Sequence, residues 1–566
     1  MPTVTTGSTT GRTSSRSEPA LSTTRRWGTL AGLAIGPVLV LSVFFLLPVG
    51  GMLARGFWPH GRFDLGGALE TLARPRVHRV VWFTLWSSTV ATVVTVLLGV
   101  PTAYVLHRLR FPGAALLRSA MLVPFVLPTV VVGVAFLQLI AAGGPLGGLH
   151  LEATPTAIIA ALVFFNVAVV VRAVGSSWDA VDPRPGQAAA ALGAGPLRVF
   201  WTVTLPTLRP AIVAAASVVF LFCATAFGIV LMLGQLRYAT VETEIYQRTT
   251  RLLDLPGAAA LSILQLLTVT ALLLLAQRTG ASRISSSGTT TPPRRPRRTD
   301  VPAVAVTALV LALLALPLGS LVLASVRDGD RWTLANYRLL TSTGDKNALL
   351  VPVTEALANS LRTAVDATWM ALLLGLMVSI VVTRRSHGRA ERRVKAGLDG
   401  FFMLPLGVSA VTLGFGFLIT LDRPPLALRD SPLLVPIAQA LVALPLVVRT
   451  IAPALAGIDD RLRQAAASLG AAPWRAALTV DLPVVIRPLL AAAGFAFATS
   501  LGEFGATSFL ARDEHPTVPI VIYRLISHPG EHNYGMALAA AVVLAVATAL
   551  VMLVVDRLRT ARVGAW

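Results

Sequence analysis

Apolar residues along this chain arrive in long runs, not in the narrow stripes of surface helices. "TLAGLAIGPVLVLSVFFLLPVGGMLA" from Thr29 and "AVTALVLALLALPLGSLVLA" from Ala305 each reach the length of about 20 apolar residues that crosses a hydrocarbon core. Twelve such runs are predicted, at 29–51, 80–106, 119–143, 155–172, 208–233, 256–277, 301–326, 358–383, 397–421, 432–449, 484–511 and 536–555. The pattern predicts an all-α polytopic membrane protein. Composition agrees: 566 residues, 55% hydrophobic and 13% charged, are too apolar for a soluble multidomain chain.

The formal charge of +21 invites a nucleic-acid reading, so its distribution decides the matter. With the N-terminus placed inside, the inner segments carry 31 Lys/Arg against 10 Asp/Glu, and the outer segments 17 of each. All of the excess falls on one face, as the positive-inside bias requires. No nucleic-acid partner is needed. The expected setting is the cell membrane, with lipid around the helices and both termini cytoplasmic. Residues 1–28, rich in Ser, Thr and Arg, predict a disordered cytoplasmic tail; the first apolar run is too long and too late for a cleaved signal peptide. The single cysteine, Cys223, excludes an internal disulfide framework and reads as a buried small residue.

The chain repeats itself. Gln187–Pro206 and Gln464–Pro483 match at 13 of 20 positions at an offset of 277, without a gap. The same offset pairs Arg172 with Arg449, Asp182 with Asp459 and Arg184 with Arg461. Upstream, "LVPFVLPTVVVGVAF" from Leu122 aligns with "MLPLGVSAVTLGFGF" from Met403 at an offset of 281. Two membrane domains of six spans are expected, at 29–277 and 301–566, joined by a Gly/Ser/Thr/Pro-rich linker at 278–300. An even number of spans before the linker gives both halves one orientation, a parallel repeat about an axis along the membrane normal.

Both repeated stretches fall on the cytoplasmic side, between the fourth and fifth span of their half. "QAAAAL" and "QAAASL" predict short helices, each stopped by a glycine, Gly193 or Gly470, placed for a left-handed cap. A second short helical piece begins near Pro196 or Pro473, and Leu-Pro then opens the next span. One Ala-rich helix alone could simply lie on the membrane. Two matched copies on one face point to a docking geometry for a two-fold partner.

This pattern resembles the cytoplasmic "EAA" loop of bacterial ABC importer permeases: Glu-Ala-Ala, three residues, Gly, nine residues, Ile, one residue, Leu-Pro. The corresponding positions are Gln187, Ala188, Ala189, Gly193, Val203, Leu205 and Pro206, and again Gln464, Ala465, Ala466, Gly470, Val480, Leu482 and Pro483. Gln replaces Glu and Val replaces Ile in both copies, so any salt bridge made by that Glu is lost. The resemblance implies the type I importer permease fold. It also implies a separate ATP-binding subunit dimer whose two clefts take the two loops, and an extracytoplasmic binding protein that delivers substrate.

Fused permeases of this kind include thiamine and iron(III) importers. "RFPGAALL" from Arg110, "VFFNVAVVVR" from Val163, "ATVETEIYQ" from Ala239 and "TSLGEFGATSFL" from Thr499 look closer to the thiamine permease, with iron(III) as the alternative. Within the predicted spans, Glu503 is a candidate for the pathway of a cationic substrate, or else a carboxylate at the external mouth bonded to loop backbone. Asp366 is a similar candidate, or else faces the bundle and pairs with a neighbouring helix. Glu242 and Glu244 are expected near the external mouth, either docking the binding protein or in a solvated loop.

The chain carries no G-x-x-x-x-G-K-[ST] phosphate loop, no His/Cys/Glu cluster at metal-ligand spacing and no nucleophile–base pair. It is expected to be a transport subunit without catalysis or cofactor of its own, ATP being bound by the partner. An ion-coupled secondary transporter is the competing class. It predicts paired intramembrane charges in both halves, whereas Glu503 and Asp366 have no obvious repeat partners.

Overall fold

The computed structural model describes residues 23–58, 61–121, 123–235, 237–278, 293–329, 331–384, 388–422 and 426–560. Most of the expected tail, residues 1–22, and most of the expected linker, residues 279–292, lie outside the described residues.

Each half lays down eight corresponding helices in the same order. In the first they are α1 (Gly32–Phe57), α2 (Pro75–Arg108), α3 (Thr129–Ile140), α4 (Pro155–Asp179), α5 (Arg184–Ala191), α6 (Pro196–Ala224), α7 (Val241–Thr250) and α8 (Leu255–Leu274). In the second they are α9 (Arg298–Ser325), α10 (Val353–Thr383), α11 (Ala410–Thr420), α12 (Leu434–Ala456), α13 (Asp460–Ser468), α14 (Trp474–Leu501), α15 (Val518–Ser527) and α16 (Asn533–Val555). Among the described residues, 10 helices are long and apolar enough to cross a membrane.

Twelve uninterrupted spans are therefore not what forms. The run expected at 119–143 is split into Ala114–Val126 and α3, which meet at an angle of 101°. Pro128 lies at the break: it cannot donate a helical hydrogen bond and it restricts the residue before it. The run expected at 397–421 is split at the corresponding place. The amphipathic Arg389–Phe402 helix and a turn containing Pro405 precede α11, which is only 11 residues long. The fifth and eleventh runs were expected to reach 233 and 511, but their helices stop at Ala224 and Leu501. Short helices, Gly228–Gly234 and Thr507–Leu510, follow each stop. At the N-terminal end the first helix already begins at Thr23, inside the segment expected to be disordered.

Within each half, the second, fourth and fifth spans pack on one another: α2, α4 and α6 in the first, α10, α12 and α14 in the second. Glycine lets the first pair of each group close up. A Cβ on Gly99 would lie 2.7 Å from Val170 Cγ1, and one on Gly375 would overlap Val447, the residue 277 positions on from Val170. Cys223 is fully buried in the first bundle, where Asn166 Nδ2 donates to its sulfur at 3.5 Å.

The leading helix of each half crosses to the other: α9 packs along α2 and α3, and α1 along α10 and α11. The halves therefore interlock, each leading helix packing on two helices of the other half. The described end of the linker is also anchored. Arg294 exchanges backbone hydrogen bonds with Arg108 and Arg110 at 3.0 and 2.7 Å. Its guanidinium contacts Asp300 at 2.8 Å and the Tyr104 hydroxyl at 2.6 Å.

Candidate functional site

The two repeated loops fold alike, atom for atom in their caps. Gly193 and Gly470 adopt φ of +85° and +81°, the left-handed region that costs an L side chain strain. The Gly193 N–H donates to Ala190 O and the Ala194 N–H to Ala189 O, both at 3.0 Å. Gly470 and Ala471 donate to Ala467 and Ala466 at the same distance. This double bond is the Schellman cap, and it satisfies carbonyls that a helix end otherwise leaves open.

No residue of α5 or α13 is buried. Gln187, Ala188, Gln464 and Ala465 are exposed, while Ala189 and Ala466 are half-buried against the rest of the loop. The cap turns one leucine outward in each copy: Leu192 and Leu469 are each 89% exposed. Trp201 and Trp474 stand exposed nearby in the chain. Leu192 and Leu469 are related by the offset of 277, and an exposed apolar pair of this kind suits a docking surface.

One detail of the expected loop differs. The second helical piece is not separate from the next span: α6 and α14 run continuously from Pro196 and Trp474, so Leu205-Pro206 and Leu482-Pro483 lie within helices. A π turn precedes each Leu-Pro, at Phe200–Thr204 and Ala477–Asp481. Widening the ladder there accommodates a proline that has no N–H and whose ring would crowd the preceding turn.

The copies differ in how they are braced. In α13, Arg463 reaches Asp460 at 3.0 Å and Asp481 of the following turn at 2.8 Å. The first copy has Gly186, Pro183 and Thr204 at these three places, so it has no such link.

The candidate pathway residues separate. Glu503 is buried at 7% exposure and accepts from the backbone N–H groups of Ala506 (2.8 Å) and Thr507 (2.9 Å) and from the Thr507 hydroxyl. Its carboxyl thus holds the start of the short helix after α14. Asp366 is half-buried, and Trp369 Nε1, one turn along α10, donates to it at 3.3 Å; among the described residues it has no hydrogen bond to a neighbouring helix.

Glu242 and Glu244 are neither solvated nor placed to dock a partner, because both are fully buried in α7. Glu244 accepts from Arg76 Nε (2.9 Å) and Arg248 Nε (3.0 Å), and Arg248 continues to Asp254 at 2.8 Å. The network ties α2, α7 and the start of α8 together. Glu242 accepts from Gln265 Nε2 (3.0 Å) and from the Ser409 hydroxyl of the other half (2.9 Å).

Between the halves lies an aromatic column that the motifs did not single out. Phe227 and Phe504 stack with centroids 5.3 Å apart and planes at 25°. Tyr246 packs on Phe227 at 5.3 Å and Tyr523 on Phe504 at 5.7 Å. The offset of 277 relates Phe227 to Phe504 and Tyr246 to Tyr523, so the signal was present in the repeat but outside its most similar stretch.

The family described as binding-protein-dependent transport system inner membrane component matches residues 91–285 and again 371–562. The thiamine transport system permease protein of Brucella abortus (strain 2308) is 28% identical over 559 residues, covering 95% of this chain and 98% of that protein. Its namesake in Escherichia coli (strain K12) is 28% identical over 494 residues, covering 85% and 88%. The "Probable ABC transporter permease protein y4fN" of Sinorhizobium fredii (strain NBRC 101917 / NGR234) is 26% identical over 552 residues, covering 92% and 94%.

Proposed function

This chain belongs to the family of binding-protein-dependent transport system inner membrane components, and from that premise we propose a specific role. It is a multi-pass bacterial membrane protein, a permease subunit of an ABC importer that forms part of the translocation pathway and carries no ATPase site. In the proposed role it imports thiamine, delivered by an extracytoplasmic binding protein and driven by a separate ATPase dimer. The substrate reading is carried by the near full-length match, at 28% identity, to a permease named for thiamine transport.

The ATPase dimer docks on α5 and α13, with Leu192 and Leu469 as the knobs that enter its two clefts. Gln187, Ala188, Ala189 and Gly193, with Gln464, Ala465, Ala466 and Gly470, form the contact surface. The turns leading to Leu205-Pro206 and Leu482-Pro483 carry cleft closure into α6 and α14. The broken third and ninth spans complete two six-span halves in parallel, with both termini cytoplasmic.

The test is uptake of labelled thiamine and, in parallel, labelled ferric iron at low external concentration, in cells with and without the chain. Thiamine uptake that disappears with the chain supports the assignment. Loss of iron uptake alone keeps the importer mechanism and overturns the substrate.

A further inference from the structure

The column Tyr246–Phe227–Phe504–Tyr523 is built from two residues and their repeat equivalents, so it straddles the relation between the halves. Phe227 and Phe504 are 5% and 2% exposed. Each sits just past the point where its long helix, α6 or α14, stops short of the expected span. Each is also overlain by the short helix of its own half, α7 or α15, whose first N–H is held from a neighbouring span. Val241 N donates to Thr84 of α2 at 3.1 Å, and Val518 N to Ser360 of α10 at 2.8 Å. Broken helices meeting at the interface of a repeat are where transporters place the solute path. Two buried aromatic rings are stacked there, face to face across the interface.

The column also has a polarity. Glu503 adjoins Phe504 in the chain, and Glu242 hydrogen-bonds Ser409 at the start of α11. Gly505, two residues beyond Glu503, packs at the same place: a Cβ there would lie 3.0 Å from Ala410. Among the described residues, neither carboxylate has an ion-pair partner; their partners are hydroxyls, an amide and backbone N–H groups. Gln439, 2% exposed, donates to Thr507 at 3.2 Å, and among the described residues its Oε1 has no hydrogen-bond partner. Carboxyl groups without an ion-pair partner, close to stacked rings, suit a cation that also offers a flat π face.

We propose that the Phe227–Phe504 stack is the closed gate of the translocation path, and that the opened column, with Tyr246, Tyr523, Glu242 and Glu503 around it, selects flat cationic heteroaromatic solutes. The selectivity rests on the thiamine reading above; the gate does not. When the halves separate, the ring faces that now meet each other become available to the solute.

The test uses the full-length chain, reconstituted alone into liposomes loaded with labelled thiamine or labelled sucrose. The wild type holds both solutes. Phe227→Ala with Phe504→Ala releases them at least roughly tenfold faster, while Phe227→Leu with Phe504→Leu, which keeps apolar bulk, stays tight. A correctly folded double-Ala protein as tight as the wild type overturns the gate.

If the double-Ala protein does not fold, a second arm decides. Phe227→Cys with Phe504→Cys, in a chain whose Cys223 is replaced by Ala, is bridged by a short thiol crosslinker in cells that contain the transporter's partners. Bridging blocks uptake and reduction restores it; undiminished uptake in the bridged state overturns the gate. Tyr246→Leu with Tyr523→Leu reads out selectivity, raising the half-saturating thiamine concentration about tenfold, the equivalent of losing an aromatic contact to the cation. An unchanged value overturns the selectivity. If wild-type cells take up no thiamine at all, the substrate reading fails, while the leak still reports on the gate.

Discussion

The two halves share a backbone plan and differ in what they bury under it. Their common features are contacts made to backbone: the paired Schellman caps, and the N–H of Val241 or Val518 held by a hydroxyl of the second span. The aromatic column is shared as well, but several other side chains at equivalent positions have diverged. α7 buries Glu242, Glu244 and Arg248, where α15 has Pro519, Val521 and Leu525. Just past α6 the chain has Ala226, where the second half has Glu503. A duplicated fold keeps the contacts that set its geometry, and each half stabilises that geometry by different means: a charge network in one, apolar packing in the other.

The largest contrast is at Glu244 and its counterpart Val521, both fully buried. Removing one partner of a buried ion pair leaves a charge unpaired, at a cost of about 3–5 kcal/mol. Arg248 retains Asp254, so Glu244→Ala is expected near the lower end. Val521→Ala removes only apolar volume, about 1.5 kcal/mol at roughly 0.8 per methylene. Thermal unfolding in detergent checks the order. Equal losses would mean that the charge network is not what holds the first half.

The coupling loops offer the next contrast, because here the halves are alike. Gly193→Leu and Gly470→Leu each force an L residue into left-handed backbone, at about 1–2 kcal/mol per site. Either change is expected to lower ATP-driven uptake to a similar extent, and the double variant to abolish it and release the ATPase on co-purification. Intact uptake and binding in the double variant would sink the coupling role.

How much of this was legible follows the same division. The spans were visible because apolar runs report burial in lipid directly, and the repeat because the loop cap depends on a few local residues such as Gly193 and Gly470. The breaks were not, since hydropathy does not register that Pro128 or Pro405 interrupts a helix inside an apolar run. Glu242 and Glu244 looked external because carboxylates usually are. Only the fold brings them to Gln265, to Ser409 and to Arg76, which is 168 positions from Glu244 in the chain. The swap of leading helices also had no local signal, because it depends on which long helix each apolar face meets.

A smaller effect should sharpen the contrast between the coupling loops themselves. Arg463 ties α13 to the base of α14 through partly exposed pairs with Asp460 and Asp481, worth about 0.5–1 kcal/mol after solvent screening. Arg463→Gly makes the second loop like the first. The melting temperature should hardly move, while uptake per ATP hydrolysed should fall a few-fold if the brace transmits motion. Placing Gly186→Arg and Thr204→Asp in the first loop should leave that ratio unchanged or raise it. A fall in melting temperature without a change in the ratio would make the brace merely structural.

The smallest expected effect concerns how each half caps its last span. The first half does so locally: Asp254 accepts the Gly257 N–H at 2.9 Å, at the start of α8. The second uses Asp345, from the loop between α9 and α10, which accepts the His532 N–H at 2.7 Å just before α16. That backbone bond, helped by the His532 ring, holds the Asp345 carboxyl below its ordinary value. A depressed folded value means that the contact contributes fully above the unfolded value of about 3.9 and is lost as pH falls through the lower folded one. Protection of the His532 amide against hydrogen exchange, corrected for intrinsic rate, should therefore be flat above about pH 5 and decline below about pH 4. In Asp345→Asn the decline should disappear, because the amide has no charge to lose. A decline that survives this substitution would place the acid sensitivity elsewhere, and the borrowed cap would then be only a geometric contact.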